Sequence, residues 1–200
     1  MKICCYMRMF ISILILILSF QSWVKADDIE SISIEGISLG DSALKFFTEQ
    51  DIIKNTFDHY NVKHYVPVQM DNYDFFENYD AVDFNYKVND TEYIIQSLNG
   101  VLMIEDINLC EKQLDKIVND ITPMLYSAFE IEKSRIIHDG DPSGQSYIIE
   151  KQWVFSSGDR ILVQCYYYSE SQNSQNHLSL SIRTKDFHNF LRKIAYKSIS

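Results

Sequence analysis

Glycine and proline are scarce in this 200-residue chain, six and three in all, and neither a low-complexity tract nor a clear internal repeat is present. Basic residues are also in short supply: 18 lysines and arginines face 28 acids, a formal net charge of −10. A surface of that sign repels phosphate backbones and anionic lipid, which argues against nucleic acid and membrane surfaces as partners. Long apolar runs are limited to one, Met9 to Phe20. Nothing after it reads as a membrane span. Neither C-x-x-C nor H-E-x-x-H occurs, so the usual redox and zinc signatures are missing.

What is present begins with that apolar run. Lys2 and Arg8 lie before or at its start, and Val24-Lys25-Ala26 offers a small-x-small cleavage site. The pattern predicts an export signal over residues 1–26, removed to leave one domain at 27–200. The leader takes three basic residues and no acid with it, so 15 basic residues remain against 28 acids, net −13. It also removes Cys4 and Cys5. Cys110 and Cys165 stay behind, and an even pair in a periplasmic or secreted protein predicts a disulfide.

Periodicity sketches the elements. Ile32-Ser33-Ile34 alternates toward Gly36, Asp41 is a candidate cap for a short helix through Phe47, and Thr48 with Asp51 marks a second helix start. Residues 64–69 read as an edge strand because of Pro67. Residues 81–104 read as a meander, with turns at Asn89-Asp90 and Asn99-Gly100. The clearest helix covers 107–122, where Ile107, Cys110, Leu114, Ile117, Val118 and Ile121 share one stripe. Strands follow at 131–137, 146–155, 160–168 and 177–183, then a helix at 185–196. In the third of these strands Ile161, Val163, Cys165 and Tyr167 alternate onto one face. Cys165 therefore points inward from a strand and Cys110 from a helix, the geometry of a helix-to-strand disulfide. The fold class expected is α+β: an antiparallel sheet with helices packed mainly on one face.

Three patterns bear on chemistry. Gly36-Ile37-Ser38-Leu39-Gly40 is a literal G-x-S-x-G, which in a strand–turn–helix context would make Ser38 a hydrolase nucleophile. Only one short strand precedes it, and later strands come as hairpins, so a tight turn explains the glycines better. Asp139, Asp141, Ser143, Gly144 and Glu150 fall at positions 1, 3, 5, 6 and 12 of a calcium-loop pattern. Pro142, Ser146 and strand-like flanks depart from it, and a polar hairpin loop explains the same residues. His59, His64, His138, His177 and His188 form no ligand spacing. The aromatic loop at 70–79, with Asp71, Asp74, Glu77 and Asp80, reads as a recognition surface for a basic partner.

The run Ile34-Glu35-Gly36-Ile37-Ser38-Leu39-Gly40-Asp41-Ser42, the segment Phe20–Asp28, the Asp141-Pro142-Ser143-Gly144-Gln145-Ser146 loop and the Cys165-Tyr166-Tyr167 strand resemble a group of exported proteins from small-genome marine bacteria. The resemblance spans most of the chain. It implies a bacterial envelope setting and no established activity, and it makes the Asn89-Asp90-Thr91 glycosylation sequon irrelevant. The expectation is a non-enzymatic periplasmic or secreted binding or accessory protein, partnered by another envelope or secreted protein. No cofactor is called for unless the 139–150 loop takes calcium. The alternatives are that calcium-stabilised module and, behind it, a small serine hydrolase using Ser38.

Overall fold

A computed structural model of the chain describes residues 29, 32–71, 73–138 and 141–195, so the expected leader at 1–26 lies outside the described residues. Strands β1 (Ser33–Ile34) and β2 (Ile37–Ser38) form a hairpin that turns at Glu35 and Gly36. Both turn residues sit at positive φ, 52° and 77°, as a two-residue primed turn requires. A 3-10 turn follows over Ala43–Lys45. Its cap is Ser42, which accepts the Leu44 N–H, and not Asp41 as the sequence suggested. The Asp41 carboxylate is already occupied by the Ser38 N–H and the Lys45 ammonium. Helix α1 (Glu49–Lys54) starts as predicted, with Thr48 Oγ1 accepting the Asp51 N–H.

Seven further strands make one sheet: β3 (Tyr65–Asp71), β4 (Ala81–Lys87), β5 (Ser97–Met103), β6 (Phe129–Ile137), β7 (Tyr147–Val154), β8 (Arg160–Tyr167) and β9 (His177–Arg183). Their spatial order is β3-β4-β5-β9-β8-β7-β6, and every neighbouring pair is antiparallel. Pro67 lies on edge strand β3, where a missing N–H is tolerated.

The expected meander differs in two places. Asn99-Gly100 is not a turn, because β5 runs straight through it. A Cβ at Gly100 would stand 2.7 Å from the Tyr79 ring, so glycine is needed there for close approach of that ring. The meander segment between the two expected turns is mostly loop. The Asp90 carboxylate takes the N–H groups of Glu92 and Ile94, donors that a ladder would otherwise use, and Tyr93 sits at φ 53°.

Helix α2 (Ile107–Ile121) is capped by Asp106, which accepts from the N–H groups of Asn108 and Leu109. Its buried residues Cys110 and Leu114 pack with Ile161, Val163 and Cys165 of β8 and with Leu178 and Ile182 of β9. Cys110 and Cys165 are joined as a disulfide with their Cα atoms 6.0 Å apart, so the two independent periodicities met where they were expected to. The same core continues beneath the N-terminal elements through Ile34, Ile37, Phe47, Ile52, Met70 and Phe84. Lys133 of β6 adds an ion pair to Glu111 and Asp115 on the outer side of α2.

The C-terminal helix α3 (Lys185–Phe190), capped by Thr184, runs on into one π-helical turn at Leu191–Ala195. Its Phe187 and Phe190 pack on Tyr65 of β3 and on Tyr60, a second small cluster apart from the main core. Tyr65 pairs in register with Lys87 and shares its face with Pro67 and Gln69, opposite the face that carries Val68 and Met70. Helix α3 therefore covers part of the sheet face that α2 leaves open.

The disulfide closes a 55-residue separation. Loop-closure entropy of that size stabilises the fold by about 3–4 kcal/mol. Replacing both cysteines by alanine is expected to lower the unfolding free energy by about that much, read from urea denaturation midpoints, without changing the far-ultraviolet dichroism of the native state.

Candidate functional site

The alternation that buries Ile161, Val163 and Cys165 sends Arg160, Leu162, Gln164 and Tyr166 to the opposite face. Register then lines up polar rows across the sheet. One row reads Arg160, Arg183, Ser97 and Asn85, each directly opposite the next. A second reads Gln152, Leu162, Ser181, Asn99, Asp83 and Gln69. A third brings Glu150, Gln164 and Ser179 together. Helix α3 and the turn after it wall one side with His188, Leu191 and Arg192, leaving a groove of about 740 Å³.

The groove floor is held by one carboxylate. Glu150 accepts from the amides of Gln152 (3.2 Å) and Gln164 (2.9 Å). Each glutamine turns its carbonyl to a guanidinium: Gln152 accepts from Arg160 Nη1 at 2.7 Å, and Gln164 from Arg183 Nη2 at 3.1 Å. Ser181 also accepts from Arg183 Nη2 and donates to Asn99. Among the described residues, neither Arg160 nor Arg183 is within ion-pair distance of a carboxylate.

Buried polar atoms normally find partners. Seven side-chain atoms among the described residues do not, and five belong to this groove: Asp83 Oδ1, Arg160 Nε, Arg183 Nε and both ring nitrogens of His188. A sixth, Ser97 Oγ, is directly opposite Arg183. Burial pushes the His188 imidazole down to about 4, helped by Arg160, Arg183 and Arg192 around it. Burial pushes the Asp83 carboxyl up to about 6, against a hydrogen bond from Gln69. His188 is therefore neutral at pH 7, with one nitrogen able to donate and the other to accept.

The far end of the groove is aromatic. Tyr166 stacks on His177 with ring centroids 4.5 Å apart, and Tyr168 and His138 complete the panel. Immediately behind it lies a buried knot around Asp141, which is 4% exposed. Its carboxylate accepts from the Ser143 and Ser146 N–H groups, the Ser146 and Ser169 hydroxyls and the Gln172 amide. The His138 N–H donates to the Ser146 carbonyl, so the knot fixes the loop from which the panel starts.

The residues singled out in the sequence fall into different places. Asp139 lies outside the described residues. Asp141 and Ser143 share the knot, where the Asp141 oxygens are filled by the chain's own donors. Glu150 is four residues beyond Ser146, about 13 Å along β7, and belongs to the groove. The structure does not bring Asp141 and Glu150 together. Ser38 sits on β2 of the small antiparallel hairpin rather than on a turn entering a helix. In the 70–79 loop, Tyr73 and Phe76 pack around Phe47, and the Glu35 carboxylate accepts the N–H groups of Glu77, Asn78 and Tyr79. Tyr73 and Phe76 thus pack inward, and Phe75 is 41% exposed. Sequence reasoning missed the groove. The strands assigned to 146–155, 160–168 and 177–183 carry its polar residues at alternate positions, but not the register that brings them together.

Hydrogen bonds from Ser146 and then Ser143 hold the Asp141 carboxyl well below the usual carboxylate range. An acid depressed in the folded state stabilises the fold above its ordinary pKa of 3.8 and loses that contribution as pH falls. Asp141→Asn is expected to lower Tm at neutral pH and to flatten the loss of stability below pH 3.8, checked by thermal melts from neutral pH into the acid range. No protein-family model, curated protein or solved structure matches this chain.

Proposed function

We propose that this is an exported, non-enzymatic binding protein that holds a small molecule in the groove on the polar face of its sheet. Export is supported by the leader pattern at 1–26 and fits the disulfide, which persists in oxidising compartments. The groove is supported by one observation above all: five buried polar atoms converge on it without a protein partner. Leaving a buried donor or acceptor unsatisfied costs about 1–3 kcal/mol, a penalty that a ligand's polar groups would relieve. The volume of about 740 Å³ matches a small-molecule site, and an aromatic panel beside convergent polar groups is the usual composition of one. A catalytic role has less support. His188 carries no carboxylate partner that would make it a base, and Ser179 and Ser181 of the groove floor bond to each other, to Asn99 and to Arg183 rather than to a base.

Two measurements test the reading. Expression in a bacterial host is expected to yield a periplasmic or secreted product whose N-terminus is Asp27. Native mass spectrometry against a library of metabolites is expected to find a compound that binds the unaltered chain, leaves unchanged, and is excluded by Ser179→Trp, which places an indole on the groove floor. A Ser179→Trp chain that folds and still binds the same compound would place the ligand elsewhere.

A further inference from the structure

Arg160 and Arg183 are direct cross-strand partners on adjacent strands, on the same face. Cβ atoms in such a pair stand about 4.5–5.5 Å apart, and like charges so placed destabilise a sheet. Guanidinium groups cannot shed the charge by losing a proton. Salt in bulk water does little for them, because both are partly buried beneath α3. Their partners are neutral: Gln152, Gln164 and Ser181. A third cation, Arg192, stands at the edge of the same groove. Among the described residues no acid pairs directly with either guanidinium, and the Glu150 charge reaches Arg160 only from across the Gln152 relay. Glu150 spends both oxygens on the two glutamines, and Asp83 sits in the neighbouring row against Gln69 and Asn99.

The arrangement is also rigid. The relay from Glu150 through two glutamines fixes each guanidinium by one terminal nitrogen and leaves each Nε, a donor, buried and unpartnered. The Tyr166 hydroxyl lies against Arg183 and donates to the same Gln164 carbonyl. His188 faces the pair from α3 with two unpartnered nitrogens. Fixed guanidinium forks with free donors match the geometry of a carboxylate or phosphate group.

We infer that Arg160, Arg183 and His188 form an oxyanion site, which takes the carboxylate or phosphate group of the small molecule held in the groove. The anion bridges two cations that repel each other without it, and the rest of the ligand runs toward the Tyr166–Tyr168 panel. This inference rests on the groove being the binding site.

The test uses the purified chain with sodium phosphate and sodium acetate as separate probes, at constant ionic strength set with sodium chloride. Two readouts are followed, Tm and the His188 imidazole titration by nuclear magnetic resonance. The bound anion is expected to raise Tm by about 5–10 °C at a hundredfold excess over Kd. It is also expected to lift the His188 pKa from about 4 by roughly one unit or more, since an opposite charge favours the imidazolium. Arg160→Gln is expected to melt no lower than the parent without probe, because it removes the repulsion, and to lose the probe response. Arg183→Gln serves as the second variant. Response to phosphate alone or acetate alone supports the site and names the group. No His188 shift with either probe, or an equal Tm response in Arg160→Gln, overturns it. A neutral compound that binds and is excluded by Ser179→Trp, with no anion response, would leave the groove standing and remove only the oxyanion.

Discussion

Everything in this molecule follows from a seven-stranded sheet that must cover two chemically opposite faces. Period-two alternation gives β8 an apolar side, Ile161, Val163 and Cys165, and a side carrying Arg160, Gln164 and Tyr166. Helix α2 covers the first side, and the disulfide fastens it there. The second side is too polar to be a core and too enclosed to be ordinary surface. Gln164, Ser179 and Ser181 are buried on it, and α3 lies over one flank. A buried polar face needs hydrogen-bond partners throughout. Among the described residues of this face and the helix over it, the chain leaves atoms of Arg160, Arg183, Ser97, Asp83 and His188 without a partner.

Two carboxylates organise that face. Glu150 arranges the guanidiniums from below through its glutamines, while Asp141 gathers serines into a closed knot at the aromatic end. Asp141 is satisfied entirely by the chain's own donors. Glu150 is satisfied as well, but the groups it positions are not. A self-contained knot stabilises a loop, whereas a relay that ends in unpartnered donors prepares a surface for something else.

Much of the fold was legible because its signals are local. The stripe on α2, the alternation on β8 and the Thr48 cap are read within a few residues, and the first two together located the disulfide. The failures share a cause. Gly100 looks like a turn residue in sequence, but a ring 21 positions earlier explains it. Glu92–Gln96 has strand composition, yet the Asp90 side chain takes its donors. The aromatic loop carries no periodicity of its own, and its packing comes from Phe47 and Glu35, more than 25 positions earlier. The calcium-like spacing placed Asp141 and Glu150 in one loop, and strand rise carries them apart. The groove depends on register across β5, β9, β8 and β7, and register is set by pairings between distant segments. No spacing within one segment contains it.

The acidic balance of the chain then acquires a second meaning. A net charge of −10 argues against partners that are large polyanions. At physiological ionic strength, however, exposed charges are screened beyond about 8 Å, whereas buried ones are screened much less. A small oxyanion inside the groove feels the nearby guanidiniums strongly and the distant carboxylates weakly. On the proposed reading, an acidic chain and a partly buried cationic pair act on anions of different size. Charge sign at the surface and charge sign in the site oppose each other, and the difference in burial is what separates their effects.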